Sequence, residues 1–341
     1  MTRLDDTGLP PEADEGRAMT ETGGCWREVG PDGLEGYLAD GGRGLPRSGL
    51  ERLVAWTAES HQRGMRSRLE FYDDHLIGIL VVPVMDRDDD DVWEQEVFFL
   101  ATNDTVLTVQ RHPPGKYPFD LSELHSPKHR LDVQHPGGFL YLVLSLITDH
   151  LVNLIVEFHE ELEEAEDGIM GGDGRRGWSD DRIQRRLRRF RSSLLDVRKA
   201  VIPLLERVDG IMDRRLDLVG EELFPQELER RLRDVHDRLV YVVDALELIR
   251  DEVAGLRDFH QAKVANEQNQ VMKSLTMAAS LLLVPTLIVG MFGQNFRNLP
   301  WQDWPDGFWW STGLVSVITL VQLAVFVSLG WIRIGRSHRG S

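Results

Sequence analysis

Gly290-Met291-Phe292-Gly293-Gln294-Asn295-Phe296 decides the fold, because a long apolar run ends there and a short, Trp-rich polar segment begins. From Leu275 to Phe292 the chain carries no charge, and with Val271 and Met272 the run approaches the ~20 residues that a helix needs to cross a bilayer. A second uncharged run extends from Phe308 to Ile332. Only Gly293 to Gly307 lies between them, so the two spans are expected to form a helical hairpin with both chain ends on one face. Lys263 and Lys273 flank the first run and Arg333, Arg336 and Arg339 follow the second, whereas the connecting loop sets Arg297 against Asp303 and Asp306. By the positive-inside rule both ends are cytoplasmic. A buried helix of a soluble protein is the alternative for either run, and two such runs with basic flanks on one side only argue against it.

The whole chain, 341 residues with a net charge of -17, is long enough for a soluble domain plus a membrane hairpin. Its acidity argues against nucleic acid as a partner and for cations. Asp5, Asp6, Glu12 and Asp14 interrupt any apolar core of a signal peptide, so the large N-terminal part is expected to stay in the cytoplasm. The single cysteine, Cys25, excludes an internal disulfide and a zinc-binding Cys cluster, and is expected to be a small, partly buried residue.

Residues 1–22 are polar, acidic and rich in Gly and Pro, a composition expected to be disordered. Residues 23–137 read as an α/β domain. A helix is predicted from Leu45 to Gly64, opening after Pro46. Strands follow at Ser67–Tyr72, His75–Met85, Val92–Ala101 and Val106–Arg111, with Asp73-Asp74 turning the first pair. The acidic run Asp86 to Asp91 lacks the Gly and terminal Glu of a calcium loop and reads as a solvated link. Residues 138–224 read as antiparallel helices: one over Phe139–Met170 with an acidic second half, and one over about Ser179–Met212 with arginines at Arg185 to Arg191, placed so that opposite charges face each other. His159-Glu160 has no second His at metalloprotease spacing, and Gly171-Gly172-Asp173-Gly174 has no following Gly-Lys-Ser/Thr, so neither is a catalytic motif. With no nucleophile and base pair elsewhere, the chain does not read as an enzyme and no cofactor is expected.

From Gln226 no strong helix breaker occurs until Pro285. Leu228, Leu232, Val235, Leu239, Val242, Leu246, Ile249, Val253 and Leu256 recur in steps of three and four, a heptad stripe of the coiled-coil kind. A stalk over 225–270 is therefore expected to run into the first span, 271–292, as one helix to Phe292. Its stripe is the natural candidate for assembling several copies, and Gly255 is its weakest point.

These features together resemble the CorA family of divalent cation channels. The resemblance rests on Val271-Met272-Lys273-Ser274-Leu275-Thr276, the Gly-x-Asn-Phe turn, the loop with Asn298-Leu299-Pro300, the second span and the basic tail. Upstream it extends to Tyr72-Asp73-Asp74-His75-Leu76, to Asn103–Val109 and to Arg233-Asp234-Val235-His236-Asp237, covering nearly everything after residue 60. It implies an α+β cytoplasmic domain, a mixed sheet with flanking helices, joined through the stalk to a two-helix transmembrane hairpin, 271–292 and 308–332. The loop 293–307 is then extracytoplasmic, the tail 333–341 cytoplasmic, and the assembly a homopentameric funnel in the inner or plasma membrane. Two spans per chain cannot enclose a water-filled path, so a pore needs several copies around an axis.

Asn269, Met272, Leu275 or Thr276, Ala279, Leu283, Thr286 and Gly290 fall on one face of the first span. This spacing fits a pore-lining stripe and equally a face packed on another helix; the resemblance favours the pore. Met272 and Leu283 are candidates for constrictions that close by dewetting. Mg²⁺ holds its water shell tightly and prefers octahedral oxygen. A ring of Gly293 and Gln294 carbonyls and the Asn295 amide oxygen would recognise the hydrated ion without stripping it, Gly293 being expected to turn the chain at positive φ.

This sequence departs from the family where the usual Gly-Met-Asn filter has Gln294 in place of Met, and where Trp301 follows the loop Pro in place of an acidic residue, leaving Asp303 and Asp306 as the acidic groups near the mouth. The zinc-transporting ZntB branch also departs from the Met, which keeps Zn²⁺ open as substrate beside Mg²⁺, Co²⁺ and Ni²⁺. Asp234 stands where the resemblance implies an inter-subunit regulatory site for cytoplasmic Mg²⁺, with Asp237 as a possible helper. A non-conducting membrane-anchored sensor is the remaining alternative.

Overall fold

A computed structural model describes residues 20–21, 25–60, 66–86, 91–114, 116, 118–121, 124, 135–171, 178–212, 224–294 and 305–331. It divides into two compact units, Met1–Leu256 and Arg257–Ser341.

The first unit is built on one mixed sheet of order β1-β2-β6-β5-β4-β3. Its strands are β1 (Thr20–Glu21), β2 (Trp26–Glu28), β3 (Arg68–Phe71), β4 (Leu76–Asp86), β5 (Asp91–Ala101) and β6 (Val106–Arg111). All pairs are antiparallel except β2 with β6. β4 reads as an unbroken apolar run because both faces of the sheet are covered, and successive side chains alternate between them. Leu76, Leu80 and Val82, with Val97, Phe99 and Ala101 of β5, lie on the face covered by α3 (Pro136–Met170) and α4 (Asp180–Met212), and share one core with the first part of α5 (Gln226–Phe292). Ile77, Ile79 and Val81, with Phe98 and Leu100, face α1 (Leu34–Ala39) and α2 (Arg47–Ser60). Gly78 lies opposite Phe99, and a Cβ there would stand 2.4 Å from the phenyl ring, so the strand pair closes only around a glycine.

Several expectations need correcting. Thr20–Glu21 belongs to a strand paired with β2, so the stretch expected to be disordered contributes backbone to the sheet edge; polar composition does not prevent main-chain pairing. Residues 1–19 and 22–24, the rest of that stretch and its border, lie outside the described residues. The predicted helix at 45–64 is the shorter α2. Most important is the heptad stripe. Leu228, Leu232, Val235, Leu239, Val242, Leu246, Ile249 and Val253 are buried in the same core as α3 and α4. A stripe consumed inside one chain is not available to join copies, because the three-and-four period marks a covered face and not what covers it. The facing charges of α3 and α4 meet through Arg186, 3.3 Å from Glu161 and 3.0 Å from Glu164, while Arg185, Arg188, Arg189 and Arg191 stay exposed. Cys25 is buried, and burial lifts its thiol to about 11, which makes it inert.

The second unit holds the later part of α5 and α6 (Gly307–Ser328). Among the described residues three helices are long and apolar enough to cross a membrane, α3, α5 and α6. In α3, 56% of the most apolar window is buried against protein, whereas in α5 and α6 the share is 0%. Burial against its own sheet makes α3 a core helix; the other two present large apolar surfaces with nothing to cover them.

Candidate functional site

α5 ends as expected at Phe292, with Gly293 and Gln294 exposed just beyond it. The Gly293 amide donates to the Val289 carbonyl at 2.9 Å and the Gln294 amide reaches the Met291 carbonyl at 3.5 Å, so the backbone leaves the helix by continuing its last turn. Gly293 is not at positive φ, contrary to expectation. A Cβ there would lie 3.3 Å from the Val289 carbonyl oxygen, a tight contact. Asn295 and Asp303 lie outside the described residues. Asp306 stands at the N-terminal cap of α6, where its carbonyl accepts from the Trp310 amide at 3.1 Å and its carboxylate makes no cap bond. A carboxylate there is favoured by the positive end of the helix dipole.

Within the second unit Ala279, Leu283, Thr286 and Gly290, half of the predicted stripe, line one open apolar groove on α5 together with Leu282, Leu287, Met291 and Gln294. The groove therefore terminates at the predicted filter. Thr286 donates its hydroxyl to the Leu282 carbonyl at 2.6 Å, which satisfies the donor inside the helix and leaves oxygen lone pairs outward. Asn269, Met272, Leu275 and Thr276 lie further up the same helix, all exposed, and do not border the groove. α6 reaches α5 through Gln322, whose amide donates to the Ser280 carbonyl at 3.4 Å.

In the first unit Asp234 and Asp237 do not converge. Asp234, whose side chain is 70% exposed, pairs with Arg238 at 3.1 Å one helical turn on. Arg238 also holds Asp149 of α3 and donates to the Ser145 hydroxyl at 3.3 Å. Asp237 pairs with His236 at 3.1 Å, and the other ring nitrogen of His236 is 3.0 Å from Asp209 of α4. Among the described residues no group of three or more His, Cys, Asp or Glu side chains is arranged to hold a metal, so one copy does not complete a cation site at Asp234. The sequence reading missed Arg238 and Asp149. The Asp234/Arg238 half was legible as an i, i+4 pair; Asp149, from another helix, was not.

A sheet covered by helices on both faces in one unit, and apolar helices left uncovered in the other, fit a membrane protein. The comparisons place it more closely. The family model described as CorA-like Mg2+ transporter protein matches residues 45–333. The chain is 22% identical over 267 residues, 78% of its own length and 73% of the relative's, to the cobalt/magnesium transport protein CorA of Thermotoga maritima. The complete structure of the CorA magnesium transporter from Methanocaldococcus jannaschii superposes with a TM-score of 0.72 at 21% identity, over 90% of this chain and 91% of that one. The ZntB cytoplasmic domain from Vibrio parahaemolyticus gives a TM-score of 0.50 at 13% identity, over 71% and 88%. The chain belongs to the CorA-like Mg2+ transporter family; it is a divalent cation transporter, not an enzyme.

Proposed function

We propose that five copies form a Mg²⁺ channel, open also to Co²⁺ and Ni²⁺, in which the hydrated ion is selected by a ring of Gly293, Gln294 and Asn295 and conduction is closed by cytoplasmic Mg²⁺. The spans are 271–292 and 308–332, the loop 293–307 is extracytoplasmic, and both termini are cytoplasmic. The observation that carries this reading is the groove of Ala279, Leu283, Thr286 and Gly290 running to Gln294 without a charged residue along it. Such a wall binds cations weakly and lets them leave, which conduction requires. Closure follows from Mg²⁺ joining Asp234 to a carboxylate of the next copy, a differential affinity that favours one of two states. Asp303 and Asp306 at the mouth offset Arg297 and draw cations in.

Gln294 favours one second reading, a ZntB-like Zn²⁺ transporter coupled to protons, since a neutral amide replaces the family's Met. Flux into proteoliposomes separates the readings. Voltage-driven Mg²⁺ entry that is lost in Asn295→Ala is the expected result. Zn²⁺ entry that requires a pH gradient would move the chain to the second reading. No flux of either ion would leave a sensor.

A further inference from the structure

Among the described residues, Arg238 is the cation paired with the candidate regulatory carboxylate. Its Nη2 lies 3.1 Å from Asp234 Oδ2 and its Nε reaches the Asp234 carbonyl at 3.4 Å, while Nη1 is held by Asp149 and Nη2 also donates to the Ser145 hydroxyl at 3.3 Å. A guanidinium carries five donors in a fixed planar fork, so it can serve two carboxylates on two helices at once, which a lysine ammonium does less well. Asp234 itself is mostly exposed, at 70%, and Arg238 less so, at 28%, which places the guanidinium against α3 and the carboxylate outward.

We propose that Arg238 is a built-in competitor of the regulatory cation. When cytoplasmic Mg²⁺ is low, Arg238 neutralises Asp234. When Mg²⁺ takes Asp234, the dication repels the guanidinium, which stays on Asp149 and Ser145 without leaving the helix face. Asp149 thus acts as the holding partner that makes the exchange reversible. The inference rests on the reading of Asp234 as the regulatory ligand. It adds that the Mg²⁺ concentration for closure is set by an arginine that never touches the ion. Arg238 is a positioning residue and not part of the conduction path.

The test uses the full-length protein in lipid nanodiscs, with Mg²⁺ alone as the probe. The readout is the concentration that half-protects the cytoplasmic unit from limited proteolysis, checked by the Mg²⁺ dependence of flux. Arg238→Gln is expected to lower the half-closing concentration about two- to five-fold, the range that loss of a partly exposed ion pair covers. Arg238→Lys is expected to fall between. Asp149→Asn is expected to raise the concentration in the native background and to do nothing in the Arg238→Gln background. Arg233→Gln is the charge control: Arg233 adjoins Asp234, is exposed, and has no ion pair among the described residues. An equal shift in Arg233→Gln would make the effect one of general field and overturn the proposal, as would an unchanged or higher concentration in Arg238→Gln. In an Asp234→Ala background, a surviving Arg238→Gln shift would likewise overturn it. Loss of all Mg²⁺ dependence in Asp234→Ala upholds the underlying reading, whereas unchanged dependence there defeats that reading first.

Discussion

His150 shows what a single residue fixes in this fold. It sits on α3, and its Nε2 donates to the Pro83 carbonyl at 2.8 Å. Pro83 lies within β4 opposite Glu94, where a proline cannot donate to the sheet, and the histidine from the covering helix uses its carbonyl instead. Burial holds the imidazole below its usual 6.5, an effect the bond to Pro83 partly opposes. The folded state therefore prefers the neutral ring, while the unfolded chain protonates at the ordinary value. Stability from this group is complete above about 6.5 and declines as the pH falls below it. Thermal unfolding of the first unit, followed by tryptophan fluorescence, is expected to shift to lower temperature between pH 7.5 and 5.5. His150→Gln should remove part of that slope while costing roughly 1 kcal/mol at pH 7.5 through a weakened bond to Pro83. A slope identical in both proteins would assign the pH dependence elsewhere.

α5 shows what a local pattern dictates for one element and what it leaves to tertiary contact. Its observed bounds, Gln226–Phe292, coincide with those the sequence suggests, because Pro225 opens it and no strong breaker interrupts it before Pro285. Pro285 itself lies inside the helix, as prolines in apolar helices can. The partner of its heptad stripe was not legible. Periodicity reports that Leu239 is covered and is silent on whether α3, α4 or a second copy covers it; the core resolves this in favour of the chain's own helices. Leu239→Ala is therefore expected to destabilise the first unit by ~2 to 5 kcal/mol as a core cavity, with the assembled mass unchanged under native conditions. Tyr241→Ala, on the exposed face of the same helix, should leave unfolding nearly unaltered. Dissociation of the assembly before unfolding in Leu239→Ala would return the stripe to the role of inter-copy seam. The same distinction explains which strands were found. β4 announces itself by the apolar run Leu76–Met85, and β3, β5 and β6 by shorter apolar or alternating stretches set off by turn residues. β2 has three residues, and it joins the sheet in parallel to β6, where Trp26 Nε1 donates to Thr108 Oγ1 at 2.8 Å across a long sequence separation. No local signal encodes such a pairing. At the site, Gly293 and Gln294 could be placed from their neighbours in sequence, whereas the network around Arg238 depends on tertiary contact with α3.

At the scale of the whole molecule, the two units have opposite surfaces. The first buries its apolar residues on both faces of a sheet; the second exposes Leu282, Leu283, Leu287, Trp309, Trp310 and Leu320. Lipid can cover part of that surface, but one groove on α5 ends at a polar turn, and lipid cannot satisfy the backbone groups there. The two uncovered apolar helices among the described residues do not by themselves surround a path for a hydrated dication. The proposed route must then be shared by all copies on one axis, and not repeated within each. If every copy contributes one Asn295 to a common ring and a single defective amide blocks it, co-expressing native chains with Asn295→Ala chains reduces flux as the fifth power of the native fraction. Equal amounts of the two should leave about one thirtieth of the native Mg²⁺ flux, for random mixing in a closed ring of five. A route in each copy predicts about one half for the same mixture. Measured over several ratios in proteoliposomes, with composition checked by mass spectrometry, the curvature reports how many copies share the path. A straight line would reject the axial ring even if flux itself is confirmed.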